Sequence, residues 1–191
     1  MAEAAAKPAR IRAFVALELD AESRGRIAAL IAELRPAIPH VRWSRPESLH
    51  VTVRFLGYAA PAALVQLQGP LAEAAAQCPP AHAPVRGLGL FPERGSPRVI
   101  WLGIEVPQEV SRLQAACERA AVAAGFPPEP RAFRPHLTLG RWPEPGRRPP
   151  LAPVDLGRAH LERLVLFRSD LRKGGSIYTP LAAFTLGGGA G

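Results

Sequence analysis

Apolar and polar residues alternate strictly along residues 49–55, which is the pattern of a half-buried β-strand. The apolar face of this strand comprises Leu49, Val51, Val53 and Phe55. The polar face comprises His50, Thr52 and Arg54. Because residues two apart on a strand lie on the same side, about 6.5 Å apart at the backbone, His50 and Thr52 could contact one small anion together. An ordinary solvated histidine would give the same pattern, so this strand alone does not establish a function.

Hydrophobic periodicity predicts the remaining elements in outline. Strands are expected over residues 10–19, 40–44, 49–57, 83–90, 98–106, 131–142, 161–171 and 177–186. Helices are expected over residues 21–35, 61–78 and 107–124, and a loop over residues 142–153. Asp20 is expected to cap the first helix and Pro36 to end it. Gly69-Pro70 is expected to kink the second helix or divide it in two, and Gly125 to end the third.

The His-x-Thr pattern occurs a second time. His136 and Thr138 again alternate with Leu137 and Leu139, and His136 lies 86 residues after His50. The order of strand, helix and His-x-Thr strand is repeated with it, which indicates an internal duplication. We therefore expect an α+β fold with two pseudo-symmetric lobes. Two mainly antiparallel sheets would face a central cleft with the helices outside. Residues 1–191 would form one domain, ending in a flexible tail at residues 187–191.

Two histidines that face one anion site can act as an acid–base pair. A neutral imidazole takes a proton from an attacking water, and a protonated imidazole gives one to the departing oxygen. The hydroxyls of Thr52 and Thr138 can hold phosphate oxygens. Imidazolium and arginine supply positive charge, so neither a metal nor another cofactor is expected.

Composition agrees with a phosphate-binding role but does not require it. The net charge is +8, and 22 of the 24 basic residues are arginines, since only Lys7 and Lys173 are lysines. Arginine binds phosphate bidentately, although GC-rich coding would also enrich it. Cys78 and Cys117 fall on apolar stripes and are expected to be buried thiols. No signal peptide or membrane span is predicted, so a cytoplasmic protein is expected.

Other functional classes lack their sequence signatures. Each His-x-Thr strand offers one imidazole, whereas a metal site needs three or four ligands. Gly95-Ser96-Pro97 and Gly175-Ser176-Ile177-Tyr178 do not form a nucleophile elbow. No phosphate-binding loop ending in Gly-Lys-Ser/Thr is present, and Gly87-Leu88-Gly89 has Pro92 where a dinucleotide fingerprint requires glycine.

The two tetrads His50-Val51-Thr52-Val53 and His136-Leu137-Thr138-Leu139 resemble the paired H-x-T-x signatures of the two-histidine (2H) phosphoesterase superfamily. Within it, the chain resembles the LigT-like RNA 2′,3′-cyclic phosphodiesterases, once called 2′-5′ RNA ligases. The flanking residues that share this resemblance are Arg12-Ala13-Phe14-Val15-Ala16, Phe55-Leu56-Gly57, Phe133, Pro135, Arg141, Ser169, Gly175 and Tyr178.

This resemblance implies hydrolysis of RNA 2′,3′-cyclic phosphate ends to 2′-phosphomonoesters, with reverse 2′-5′ ligation as a further capability. It implies that His50 is the proton donor and His136 the acceptor. Arg141 would bind phosphate, provided that a β-bulge at Gly140 turns it toward His136. By strict alternation, Arg54 would already lie on the same face as His50.

The expected partner is RNA with 2′,3′-cyclic phosphate ends, tRNA fragments among the candidates, and the expected state is a monomer. Two alternatives stay open. One is an RNA- or nucleotide-binding module without turnover. The other is a 2H phosphodiesterase for another cyclic or 2′-5′-linked nucleotide.

Overall fold

The computed structural model describes residues 10–172 and 175–187. The helices are α1 (Ala21–Ala37), α2 (Pro61–Ala76) and α3 (Gln108–Ala123), with one 3₁₀ turn at Pro46–Ser48. The strands are β1 (Ile11–Glu18), β2 (Arg42–Trp43), β3 (His50–Ala59), β4 (Ala81–Phe91), β5 (Val99–Ile104), β6 (His136–Arg141), β7 (Asp155–Leu161), β8 (Arg163–Arg172) and β9 (Gly175–Thr185). The predicted α+β class is therefore confirmed.

One path of eight strands runs through the sheet in the order β7-β4-β5-β6-β3-β1-β8-β9, and β2 pairs with β6 beside this path. All recorded pairings are antiparallel. We call β3, β1, β8 and β9 lobe 1, and β7, β4, β5 and β6 lobe 2. The lobes are joined by a single registered pair, Val51 with Leu137. The two expected sheets are thus continuous along this narrow seam.

The two faces of the sheet carry different residues. The helices cover one face, and the main core between them and the strands includes Val15, Leu67, Leu113 and Leu137. We call this the helix face. The opposite face of lobe 1 carries a smaller apolar cluster of Phe14, Ala16, Val165 and Phe167. We call that side the cleft face, because β3 and β6 direct their histidines toward it.

Helix ends follow local chemistry, with two corrections. Asp20 caps α1 as predicted, because its carboxylate accepts the Ser23 N–H at 2.8 Å. Pro36 does not end α1, since the helix continues to Ala37. A proline in the last turn removes only one N–H bond, which the end of a helix tolerates better than its centre.

The second helix is not divided at Gly69-Pro70, because α2 runs unbroken from Pro61 to Ala76. Leu67 and Leu71, on either side of the interruption, are fully buried and hold both halves on the core. Gly125 ends α3 as predicted. It adopts φ +86°, and the following Phe126 N–H donates to the Ala121 carbonyl at 3.0 Å.

Strand β7 was not predicted, because Asp155–Leu161 is an edge strand whose first four residues show no clear alternation of apolar and polar positions. Cys78 and Cys117 are buried free thiols, as expected. Gly187 lies in a turn and donates to the Ala75 carbonyl at 3.1 Å, while the rest of the predicted tail, residues 188–191, lies outside the described residues. So do residues 1–9 and the predicted turn residues 173–174. None of the described helices is long and apolar enough to cross a membrane.

Candidate active site

The seam between the lobes brings both His-x-Thr motifs together. Val51 and Leu137 face each other there and are fully buried. Continuing the antiparallel register outward from this pair would place His50 opposite Thr138 and Thr52 opposite His136. Side chains opposite one another in such a pair have Cβ atoms about 4.5–5.5 Å apart. All four polar side chains therefore point to the cleft face from one compact patch, and all are half-buried.

Both imidazoles are held in the same way. The Nδ1 of His50 is 2.7 Å from the Ser48 carbonyl oxygen, and the Nδ1 of His136 is 2.7 Å from the Arg134 carbonyl oxygen. A carbonyl only accepts, so each Nδ1 carries the proton and donates. In the neutral ring, each Nε2 is then left with a free lone pair. The duplication extends to the backbone contact two residues before each histidine.

Both histidines are easier to deprotonate than usual. The pKa of His50 is lowered to about 4, chiefly by burial; the charges of His136 and Arg141 act in the same direction, and the hydrogen bond to Ser48 opposes them. Burial also lowers the pKa of His136, and Arg141 and Arg134 act in the same direction. Without a bound anion, both rings are therefore neutral at pH 7.

A β-bulge follows each motif at the same place. In β3, Thr52 pairs with Ala16 but Arg54 pairs with the adjacent Val15, so Val53 is the extra residue. In β6, Thr138 pairs with Trp101 and Gly140 with the adjacent Ile100. In both strands, the residue four positions after the histidine turns to the helix face. The residue five positions after it returns to the cleft face.

The bulge in β6 turns Arg141 to the cleft face, the orientation that the sequence analysis expected from a bulge at Gly140. Arg141 is exposed, and its charge lowers the pKa of both His50 and His136. Its guanidinium is therefore near both imidazoles, on the side where a phosphate would lie.

The predicted orientation of Arg54 is wrong. Its side chain is only 5% exposed and pairs with Glu118 of α3 on the helix face. It also donates to the Pro127 carbonyl, and Glu129 lies 3.9 Å away. The bulge at Val53 causes this reversal and brings Phe55, expected in the core, to the cleft face with 41% exposure. Arg54 is therefore a structural residue and not a phosphate ligand.

Aromatic side chains that the sequence analysis did not assign to the site surround the histidines. In lobe 1, the ring centroids of Phe14 and Tyr178 lie 4.8 Å and 5.2 Å from that of His50. In lobe 2, those of Phe91 and Trp101 lie 5.2 Å and 6.3 Å from that of His136. The sequence held a signal for Phe14, because it alternates with Ala13 and Val15 and so lies with Arg12 and Glu18 on the other face of its strand.

Lobe 2 adds a cation to its aromatic pair. The Arg134 guanidinium lies 5.3 Å from the centre of the Phe91 ring and donates to Glu93 at 2.6 Å. Its backbone carbonyl is the group that holds His136. Within residues 10–172 and 175–187, no three His, Cys, Asp or Glu side chains are grouped so as to hold a metal ion.

Comparisons with known proteins agree with this geometry. A family model described as LigT like Phosphoesterase matches residues 17–101 and 102–178, so that each match contains one His-x-Thr motif. A relative from Methanothermobacter thermautotrophicus, named RNA 2′,3′-cyclic phosphodiesterase, is 34% identical over 184 residues. That match covers 93% of this chain and all of the relative. A relative of the same name from Thermus thermophilus is 35% identical, over 93% of this chain and 91% of its own length.

Solved structures share the fold. The crystal structure of TT0787 of Thermus thermophilus has a TM-score of 0.83 and 31% identity, over 93% of this chain and 99% of its own. The structure of E. coli LigT complexed with 3′-AMP has a TM-score of 0.81 and 25% identity, over 93% and 98%.

Proposed function

This chain belongs to the LigT-like phosphoesterase family, and we propose that it hydrolyses RNA 2′,3′-cyclic phosphate ends to 2′-phosphomonoesters by metal-independent two-histidine catalysis. One observation carries the proposal. Two His-x-Thr motifs meet about the Val51–Leu137 pair, and each histidine has Nδ1 fixed and Nε2 free. The curated relatives named RNA 2′,3′-cyclic phosphodiesterase support the choice of substrate.

In the proposed reaction, His136 takes a proton from water and His50 gives one to the departing O3′. The water oxygen bonds to phosphorus while the P–O3′ bond breaks, so the phosphate stays on O2′. An in-line displacement needs the two groups on opposite sides of phosphorus. His50 and His136 lie on different strands that meet at the Val51–Leu137 pair, which is compatible with that requirement.

Thr52 and Thr138 would donate to the two non-bridging oxygens, and Arg141 would balance their negative charge. Donors fixed before the reaction stabilise the charge of the transition state without reorganising. The backbone of both strands is held by buried residues at the seam, which supports such preorganisation.

The proton donor must be charged when the substrate is bound, although burial lowers its pKa in the free site. A phosphodiester anion beside the imidazoles opposes that shift, because an opposite charge nearby favours the protonated ring. We therefore expect substrate or product binding to be coupled to proton uptake. Since His50 has a pKa of about 4 in the free site, this coupling is required for His50 to act as donor near neutral pH.

The decisive experiment is incubation of the protein with an oligoribonucleotide ending in a 2′,3′-cyclic phosphate, in the presence of a chelator. We expect a 2′-phosphate product, identified by phosphorus NMR and by resistance to an enzyme specific for 3′-phosphates. A 3′-phosphate would mean that the roles of His50 and His136 are exchanged or that the ring binds the other way round. Saturable binding without product would identify a binding module, the main alternative function.

Finer assignments are part of the same proposal. Reverse 2′-5′ ligation, tRNA fragments as natural substrates, a monomeric state and a cytoplasmic location are predictions. The free buried thiols of Cys78 and Cys117 support a reducing compartment. A relative complexed with 3′-AMP supports a nucleotide-sized cleft, so other cyclic or 2′-5′-linked nucleotides form the second candidate substrate class.

A further inference from the structure

Two arginines face each other directly beside the site. Arg42 of β2 is the register partner of Arg141 of β6, and both are exposed. Like charges directly opposite each other on neighbouring strands are destabilising. A pair of this kind at the edge of a proposed phosphate site indicates that an anion lies between the two guanidinium groups when the substrate is bound.

Strand register places Arg42 on the cleft face. Arg141 pairs with Arg42 on one side and with Val99 on the other, and Val99 lies two residues before Trp101. Trp101 is the register partner of Thr138, whose side chain lies on the cleft face with the two histidines. Opposite residues in antiparallel strands share a face. The side chain of Arg42 therefore lies on the same face as His136, beside Arg141 and on the side of β6 that also pairs with β3.

Gly140 keeps this segment close to the motif. A Cβ at Gly140 would lie 2.4 Å from Val41 Cγ1 and 3.1 Å from the Arg42 carbonyl oxygen. The Ser44 hydroxyl also donates to the Thr138 carbonyl at 2.7 Å. The segment that carries Arg42 is thus fixed against the second motif and leads directly into the first.

These charges have no acidic partner. In the described part of the chain, neither Arg42 nor Arg141 forms an ion pair, and neither does the exposed Arg45 further along the same segment. In lobe 1, Arg163 lies 3.3 Å from Glu18 and Arg168 lies 2.8 Å from Asp170, while Arg12 donates to the Ser169 hydroxyl at 2.6 Å. Positive charge without an acidic partner therefore lies beside the histidines where β2 pairs with the end of β6.

We propose that Arg141 and Arg42, together with the exposed Arg45 three residues further along the same segment, form a track that binds the phosphodiester backbone of the RNA leading to its cyclic phosphate end. This inference rests on the proposed function and adds that the preferred substrate is an oligonucleotide. Arg141 serves the reacting phosphate, and Arg42 and Arg45 serve the phosphates that precede it. Guanidinium groups suit this role because they bind phosphate oxygens bidentately and without regard to base sequence.

The test compares two substrates, 2′,3′-cyclic AMP and a short single-stranded oligoribonucleotide ending in a 2′,3′-cyclic phosphate. The variants are Arg42→Gln and Arg42→Gln/Arg45→Gln. Arg112→Gln is the control. Arg112 is an exposed arginine of α3 on the helix face, and its replacement changes the net charge by the same amount as Arg42→Gln. The primary readout is kcat/KM on the oligonucleotide divided by kcat/KM on the mononucleotide.

We expect this ratio to fall about two- to fivefold in Arg42→Gln, the effect of losing one exposed charge–charge contact. In the double variant the ratio should fall by roughly the product of two such factors, because the two contacts are separate. The salt dependence of oligonucleotide binding, measured by fluorescence anisotropy, should weaken by about 0.7 in log–log slope for each arginine removed. Arg112→Gln should match the wild type. The melting temperature of Arg42→Gln should stay constant or rise, because a repulsive pair is removed.

The proposed track would be refuted if the double variant kept the wild-type ratio of kcat/KM values and the wild-type salt dependence. A lower melting temperature in Arg42→Gln would also refute it. Failure of the proposed function gives a different result, because the wild type would then hydrolyse neither substrate. In that case anisotropy still tests the track, since binding does not require turnover. Loss of oligonucleotide affinity in the variants would support the track, and unchanged affinity would refute it.

Discussion

Replacing Arg54 with alanine should destabilise the protein without removing a substrate contact. Its side chain is 5% exposed, and its guanidinium pairs with Glu118, with Glu129 at 3.9 Å. Removing one partner of a buried ion pair typically costs about 3–5 kcal/mol, because the remaining charge loses its compensation. The two carboxylates keep 24% and 20% of their exposure and so recover part of their hydration. We therefore expect a loss of about 2–4 kcal/mol in the free energy of unfolding.

The measurement is urea denaturation followed by circular dichroism, together with thermal unfolding. For a chain of this size, each kcal/mol lowers the melting temperature by about 2–4 °C, so a loss of about 3 kcal/mol would lower it by roughly 6–12 °C. Arg86→Ala is the matched control. Arg86 also pairs bidentately with a glutamate, Glu105, but both side chains are exposed, and we expect little change.

A double-mutant cycle with Glu118→Gln separates the ion pair from the other Arg54 contacts. The coupling should be large, because the two groups contact each other directly. KM for a cyclic nucleotide, measured on the folded protein, should stay close to the wild-type value. Unchanged stability combined with a KM raised tenfold or more would show that Arg54 faces the substrate, and the bulged register of β3 would then be wrong.

The remaining predictions concern the site and its pH dependence. His50→Ala and His136→Ala should each lower the rate of hydrolysis by about 10²–10⁴ with unchanged circular dichroism, and retention of a third of the activity in either would exclude a pairwise mechanism. Thr52→Val and Thr138→Val each remove one hydrogen bond to a charged group, so kcat/KM should fall by the equivalent of about 1.5–3 kcal/mol. Activity should persist in EDTA and show a bell-shaped pH profile. The acidic limb of this profile should lie below the ordinary histidine pKa of 6.5, because burial lowers the pKa of His136, the proton acceptor. A requirement for a divalent ion would contradict the proposal. Hydrogen bonds from Ser23 and His160 outweigh burial and lower the pKa of Asp20 to about 2. The ionised Asp20 carboxylate therefore stabilises the folded protein fully above pH 4, and this stabilisation is lost as the pH falls toward 2. Asp20→Ala should therefore remove part of the acid dependence of unfolding.

Sequence reasoning succeeded where two independent copies of a pattern agreed. Period-two alternation is a local property, and it placed His50 and Thr52 on one face without any knowledge of the partner strand. The second copy implied that His136 and Thr138 would converge on them. The seam at Val51 and Leu137 agrees with that expectation.

Alternation failed at the bulge in β3. A bulge changes the face of every later residue, and nothing in Val53-Arg54-Phe55 signals one as Gly140 does in the second copy. The duplication itself held the missing information. Arg54 and Gly140 both lie four residues after their histidines, so carrying the bulge from the second motif to the first would have placed Arg54 toward α3. The aromatic residues of the cleft were harder to assign, because Phe167 and Tyr178 reach it through pairing of distant strands.

The two motifs share their proton chemistry but diverge at the residue five positions after each histidine. Lobe 1 has Phe55 there, on the same face as Phe14 and 6.0 Å from its ring centroid. Lobe 2 has Arg141, next to Arg42. Two identical motifs would bind a cyclic phosphate equally well in either direction, whereas a nucleotide has one apolar, stackable part and one anionic part. An aromatic residue at this position in lobe 1 and a cationic residue in lobe 2 distinguish these parts, so under the proposed function the divergence gives the substrate one orientation. The choice between O2′ and O3′ as leaving atom then depends on Phe55 and Arg141, because the histidines themselves are placed symmetrically.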